Sequence, residues 1–82
     1  MVEILFDKNF AEIFSKLKDP TMKERVIKQI QKISENPEVG KPMRNVRKGT
    51  RELYVGSFRL SYAYIAEMNK IYILDLYHKD RQ

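Results

Sequence analysis

Apolar positions recur with a helical period through the first 40 residues and alternate after residue 42. "VEILF", residues 2–6, is a short apolar run of β character, cut off by Asp7. Phe10, Ile13, Phe14 and Leu17 then fall at i, i+3, i+4 and i+7, which places them on one face of a short helix. "KDPTM" interrupts the period. Asp19 suits the N-cap of a second helix, and Pro20 suits its first position, where no amide hydrogen is needed. Met22, Val26, Ile27, Ile30 and Ile33 form the apolar stripe of that helix, with Lys23, Lys28, Gln31 and Lys32 largely outside. Asn36-Pro37 and Gly40 end it.

"RELYV", "FRLSYAYI" and "KIYILDLYH" read as three strands. Gly56-Ser57 makes a tight turn between the first two, and Met68-Asn69 a turn between the second and third. Connections this short make neighbouring strands antiparallel. The expected architecture is α+β, with the order β-α-α-β-β-β: an antiparallel meander with a two-helix hairpin packed on one face. In the central strand, Phe58, Leu60, Tyr62 and Tyr64 share one face, and Arg59, Ser61, Ala63 and Ile65 the other. The larger side chains belong under the helices. Arg59, an arginine amid apolar residues, is therefore expected on the face that two helices leave uncovered.

Eighty-two residues make one domain, residues 1–82, with a thin core. No cysteine is present, so neither a disulfide nor a thiolate metal site staples it. No apolar run approaches the roughly 18 residues of a membrane span, and "MVEILFDKNF" lacks the pattern of a signal peptide. The expectation is a cytoplasmic protein with no membrane partner. The net charge of +5 is concentrated in one half. Residues 1–40 hold seven basic and seven acidic residues, whereas residues 41–82 hold nine basic and four acidic. "KPMRNVRKGTR" carries Lys41, Arg44, Arg47, Lys48 and Arg51 without an acid, the charge pattern of a polyanion-binding face.

His78 is the only histidine, which excludes a catalytic histidine pair and the HExxH and C2H2 zinc patterns. No GxxxxGK[ST] loop is present, and the acids are too scattered for a carboxylate cluster around Mg²⁺. No cofactor is expected. The remaining chemistry is cationic. If the last strand neighbours that of Arg59, then His78, Lys79 and Arg81 come to one end of the same sheet. Converging Arg and Lys donors hold phosphate oxygens and stabilise a pentacoordinate phosphate as RNA is cleaved by its own 2′-hydroxyl. Arg59, Lys79 and His78 are the candidate catalytic residues, with histidine suited to moving a proton near neutral pH. Arg44, Arg47, Lys48, Arg51 and Arg81 are the candidate RNA-binding residues.

The element order, the phrase "VGSFRLSY" at residues 55–62 and the terminal His-Lys pair resemble the RelE/ParE superfamily of toxin–antitoxin toxins. Those proteins commonly carry a "VG-x-[YF]-R-[hydrophobic]-x-Y" segment after a basic stretch. Here Val55, Gly56, Phe58, Arg59, Leu60 and Tyr62 match it, after "KPMRNVRKGTREL". The resemblance covers essentially the whole chain. RelE-type members are metal-independent endoribonucleases that cut mRNA in the ribosomal A site, leaving a 2′,3′-cyclic phosphate. A neighbouring antitoxin wraps and blocks them. The resemblance thus implies an mRNA partner in the A site and a cognate RelB-like antitoxin with an acidic amphipathic helix or tail. The family arginine that contacts the scissile region maps onto Arg59, a basic residue near the end of the last strand approximately onto Lys79, and the histidine of many members onto His78. Glu52 and Tyr54 stand where well-studied RelE members have two lysines, and no tyrosine follows His78. ParE-type members share the fold and inhibit DNA gyrase, so a gyrase inhibitor is the alternative, as is a catalytically weakened antitoxin binder.

Overall fold

The computed structural model describes residues 2–43 and 49–81, with the backbone only at Arg81. Strand β1 (Glu3–Phe6) leads through Asp7 into helix α1 (Lys8–Lys16). Helix α2 (Pro20–Glu35), a two-residue strand β2 (Lys41–Pro42), and strands β3 (Thr50–Val55), β4 (Phe58–Ile65) and β5 (Lys70–His78) follow. The strands make one sheet in the order β1-β5-β4-β3-β2. The expected meander is its centre, with β3–β4 and β4–β5 antiparallel. Two features go beyond the sequence reading. Strand β1 pairs in parallel with β5, Glu3 beside Lys70 and Phe6 beside Ile73, and β2 pairs with β3 at the far edge. The sheet is therefore mixed.

Local chemistry sets the helix starts. The Asp7 and Asp19 carboxylates accept hydrogen bonds from the amides of Asn9 and Thr21, each at 2.9 Å, satisfying N–H groups that no helical carbonyl reaches. Pro20 opens α2 as the sequence suggests. Asp19→Ala is expected to lower the unfolding free energy by about 1 kcal/mol, with Asp19→Asn recovering most of it. Urea denaturation of the three proteins checks this; equal midpoints would remove the capping role.

Phe10 of α1 and Val26 and Ile33 of α2 pack on Val55, Leu60, Tyr62, Ile71, Ile73 and Leu76 of the sheet, all buried. Met22 and Ile30 flank this core, but Ile27, expected within the stripe, is 46% exposed. The arc from Met22 through Val26 and Ile30 to Ile33 is complete without it, and Ile27 is turned about 100° from Val26, toward solvent. No helix among the described residues is long and apolar enough to cross a membrane.

Candidate functional site

The two-residue turn at Gly56-Ser57 fixes the register of β3 against β4, so that Tyr54 stands opposite Arg59 and Val55 opposite Phe58. Leu53, Leu60 and Leu76 align toward the helices, and Arg59 points to the uncovered face. There its guanidinium carbon lies 3.7 Å from the ring centroid of Tyr54, a stacked cation–π contact. Its one hydrogen bond among the described residues runs from Nη1 to the carbonyl of Phe58, at 3.3 Å. Most of its donors thus face outward. Tyr77 flanks Arg59 from the other side. The Tyr77 hydroxyl donates to Glu52 Oε2 at 3.0 Å, a bond that spans β4 diagonally, because Glu52 stands opposite the small, fully buried Ser61 rather than opposite Arg59. Arg59 therefore sits between two tyrosines, one stacked on it and the other tied down by a carboxylate.

The C-terminal residues reach the same end of the sheet, but His78 does not share the face of Arg59. The amide of Lys79 donates to the carbonyl of Ser57 at 2.9 Å, anchoring Lys79 beside the β3–β4 turn. His78 pairs with Phe58, so it points to the helix side, away from the face of Arg59, and packs edge-on against the Phe58 ring at 5.4 Å between centroids. The cause is a bulge in β5. From Ile65 to Tyr62 the partners on β5 run from Lys70 to Ile73, and then Ser61 pairs with Asp75, leaving Leu74 unmatched. One extra residue exchanges the faces of everything after it. His78 Nδ1 lies 3.3 Å from the Asp80 amide and 3.4 Å from its carboxylate, a local C-terminal contact.

The basic run also divides. Arg51, expected to bind RNA, faces the helix layer opposite Tyr62. Its Nη1 donates to the carbonyls of Gly40 at 2.8 Å and Glu38 at 3.1 Å, and its Nη2 lies 3.7 Å from the Glu38 carboxylate. Its charge holds the segment after α2. Arg44, Arg47 and Lys48, and the side chain of Arg81, lie outside the described residues. Lys41 pairs with Glu52 and shares the face of Arg59. A shallow depression of about 340 Å³ near Glu38, Thr50, Arg51 and Tyr64 lies at the opposite end of the sheet from Arg59.

The sequence pattern points to Arg59 and its face, but it shows Tyr54 only as standing at a lysine position and gives Tyr77 no role. The signal for Tyr54 was present, because a two-residue turn after Val55 makes Tyr54 and Arg59 cross-strand neighbours. A family model described as "ParE toxin of type II toxin-antitoxin system, parDE" matches residues 4–82. No curated protein matches the chain. Among solved structures, the RelBE2 toxin–antitoxin complex of Mycobacterium tuberculosis is similar at 28% identity and a TM-score of 0.82, over 94% of this chain and 96% of that one. The Escherichia coli RelBE complex is similar at 21% identity and a TM-score of 0.81, over 95% and 96% of the two chains. A YoeB/ParE toxin from Agrobacterium tumefaciens reaches a TM-score of 0.84 at 12% identity, over 94% and 98%. At 21% and 12% the likeness is one of fold alone.

Proposed function

The chain belongs to the family of ParE toxins of type II toxin–antitoxin systems, and from its site we propose a toxin acting as a ribosome-dependent mRNA endoribonuclease. The observation that carries this reading is Arg59, stacked on Tyr54 on the face away from the helices, with most of its donors unengaged. A guanidinium there forms paired hydrogen bonds to two phosphate oxygens. As the 2′-oxygen attacks phosphorus, negative charge grows on those oxygens, and a fixed guanidinium stabilises it more in the transition state than in the ground state. The bond from phosphorus to the 5′-oxygen breaks. The products are a 2′,3′-cyclic phosphate and a 5′-hydroxyl. The 2′-hydroxyl proton passes to water, and Lys79, anchored beside the turn, supplies charge and a proton to the departing oxygen. His78 faces Phe58, so it shapes the end of the sheet and does not touch the phosphate that Arg59 holds. In this reading an acidic antitoxin silences the chain by competing for the same cations. Complexes of RelE with RelB among the similar structures support that partner.

The second reading is inhibition of DNA gyrase, favoured by the family model that matches. One pair of assays separates them. Added to a translation extract, the purified chain is expected to yield mRNA fragments with cyclic-phosphate ends, while leaving gyrase supercoiling unchanged in a ribosome-free assay. Intact mRNA together with blocked supercoiling would replace the nuclease with the gyrase inhibitor.

A further inference from the structure

Arg25, on α2, belongs to none of the groups considered so far. It is solvent-exposed and, among the described residues, has no hydrogen bond or ion pair. Its position is nonetheless specific. Four residues on, Gln29 Nε2 donates to the Tyr54 carbonyl at 3.2 Å, which ties this flank of α2 to the end of β3. Residues spaced i and i+4 lie one above the other on a helix, so Arg25 is carried one turn further, onto the β3–β4 turn. A Cβ built on Gly56 would lie 3.5 Å from Arg25 Nη1, so the guanidinium rests against the turn itself. Gly56 has a φ of +59°, a left-handed conformation in which glycine carries no side-chain strain. Without a side chain there, the cation approaches the backbone closely.

The turn is thus bracketed. Arg25 comes from the helix side, Arg59 leaves β4 on the opposite face, and the amide of Lys79 is bonded to the Ser57 carbonyl between them. These three cations come from three different elements, so no sequence window contains them. None of the three is paired with a carboxylate among the described residues, which leaves their charge for a ligand. A polyanion crossing this end of the sheet meets a cation on each side of the Gly56-Ser57 ridge. Contacts to phosphates on both sides of a cleavable bond hold it in place better than one contact does, because a single pivot leaves the strand free to swing.

We propose that Arg25 is a second RNA-backbone contact, binding a phosphate next to the one held by Arg59 as a single strand bends over the Gly56-Ser57 turn. This rests on the nuclease reading and adds to it a position on α2 and a path for the substrate. Arg25 is a positioning residue: it holds the strand and leaves the reacting phosphate to Arg59.

The test is binding of the full chain to a short single-stranded oligoribonucleotide with 2′-O-methyl groups throughout, which cannot be cut, followed by fluorescence anisotropy over a salt series. Losing one phosphate contact reduces the slope of log K against log salt by about 0.7 for single strands. Arg25→Gln and Arg59→Gln are each expected to lower the slope by that amount, and the double variant by about twice as much. Lys32→Gln, at the other end of α2, removes the same charge away from the turn and is expected to leave the slope unchanged. Thermal melting confirms that each variant is folded. An unchanged slope for Arg25→Gln, beside a lowered one for Arg59→Gln, would overturn the second contact and leave the nuclease reading standing. Equal losses from Arg25→Gln and Lys32→Gln would reduce Arg25 to a general charge effect. Absence of salt-dependent binding by the unmodified chain would overturn the path over the turn, while the nuclease reading stands or falls on the translation-extract assay.

Discussion

Tyr62→Phe is expected to cost about 2–4 kcal/mol of folding stability, although it removes a single oxygen atom. The Tyr62 ring is fully buried. Its hydroxyl accepts from the Gly40 amide at 2.9 Å and donates to the Pro37 carbonyl at 2.8 Å. One atom therefore closes the segment that leaves α2. Phenylalanine leaves a buried amide and a carbonyl unsatisfied, each at about 1–3 kcal/mol. The hydroxyl is closely packed on the Gly40 side. A Cβ on Gly40 would already sit 2.7 Å from Tyr62 Cε1 and from its hydroxyl, and Arg51 is committed to Glu38 and Gly40. For 82 residues a typical stability is about 4–12 kcal/mol, so the loss is a large fraction of the whole. The melting temperature should fall by more than about 10 °C. Chemical denaturation of both proteins measures the difference, and a loss below about 0.5 kcal/mol would show that the hydroxyl is not the closure.

The same hydroxyl gives stability an alkaline limit. Burial raises the pKa of Tyr62 above its ordinary value of 10.0; the Gly40 hydrogen bond and the Arg51 charge lower it by less, and Glu38 adds a smaller upward push. The unfolded chain then releases this proton at lower pH than the folded one. The contribution is fully present below about pH 10 and is lost as pH rises from there through the folded value. Tyr62→Phe should remove that component of the alkaline slope.

Most of the fold was legible because strand faces follow a period of two and helix faces a period of 3.6. The strand and helix order, the N-cap at Asp19 and the face of Arg59 all follow from such local rules. What was missed depends on pairing between distant segments. The parallel β1–β5 contact joins residues 3–6 to 70–73, and no local pattern specifies it. The placement of His78 failed on a single residue. Without a bulge, the register at the start of β5, Ile65 with Lys70, would set Arg59 opposite Leu76 and carry His78 onto the uncovered face. With Leu74 unmatched, Arg59 meets Tyr77 and His78 turns to the helix side. The sequence carries a trace of this slip. Ile71 and Ile73 are apolar at odd positions, Asp75 breaks that series, and Leu74 and Leu76 continue at even ones. A change of phase within one strand is the signature of a bulge. Arg51 shows a different limit: a charge count does not distinguish a cation offered to a ligand from one holding two carbonyls.

Arg59→Ala is expected to reduce mRNA cleavage by about 10²–10³-fold with little change in folding, corresponding to roughly 3–4 kcal/mol of lost transition-state stabilisation. The two halves of that expectation come from the same geometry. Arg59 is half-buried, has no ion pair among the described residues, and donates one 3.3 Å hydrogen bond to its neighbour's carbonyl. Its removal therefore opens no cavity and leaves no buried charge alone. Its value lies outward, in donors aimed at a phosphate. Tyr54 holds those donors in place, and Tyr54→Ala should cost about 3–30-fold, the scale of a cation–π contact between an exposed and a desolvated one. Arg59→Lys should fall between, because an ammonium keeps the charge but neither the planar fork nor the stack. The order Arg59→Ala, Arg59→Lys, Tyr54→Ala, from most to least damaging, separates a phosphate clamp from a merely basic surface, on which lysine would serve as well as arginine. The measurement is the rate of appearance of cyclic-phosphate ends in a translation extract, beside the melting temperature of each variant. Cleavage by a folded Arg59→Ala protein within about twofold of the unmodified chain would place the chemistry elsewhere.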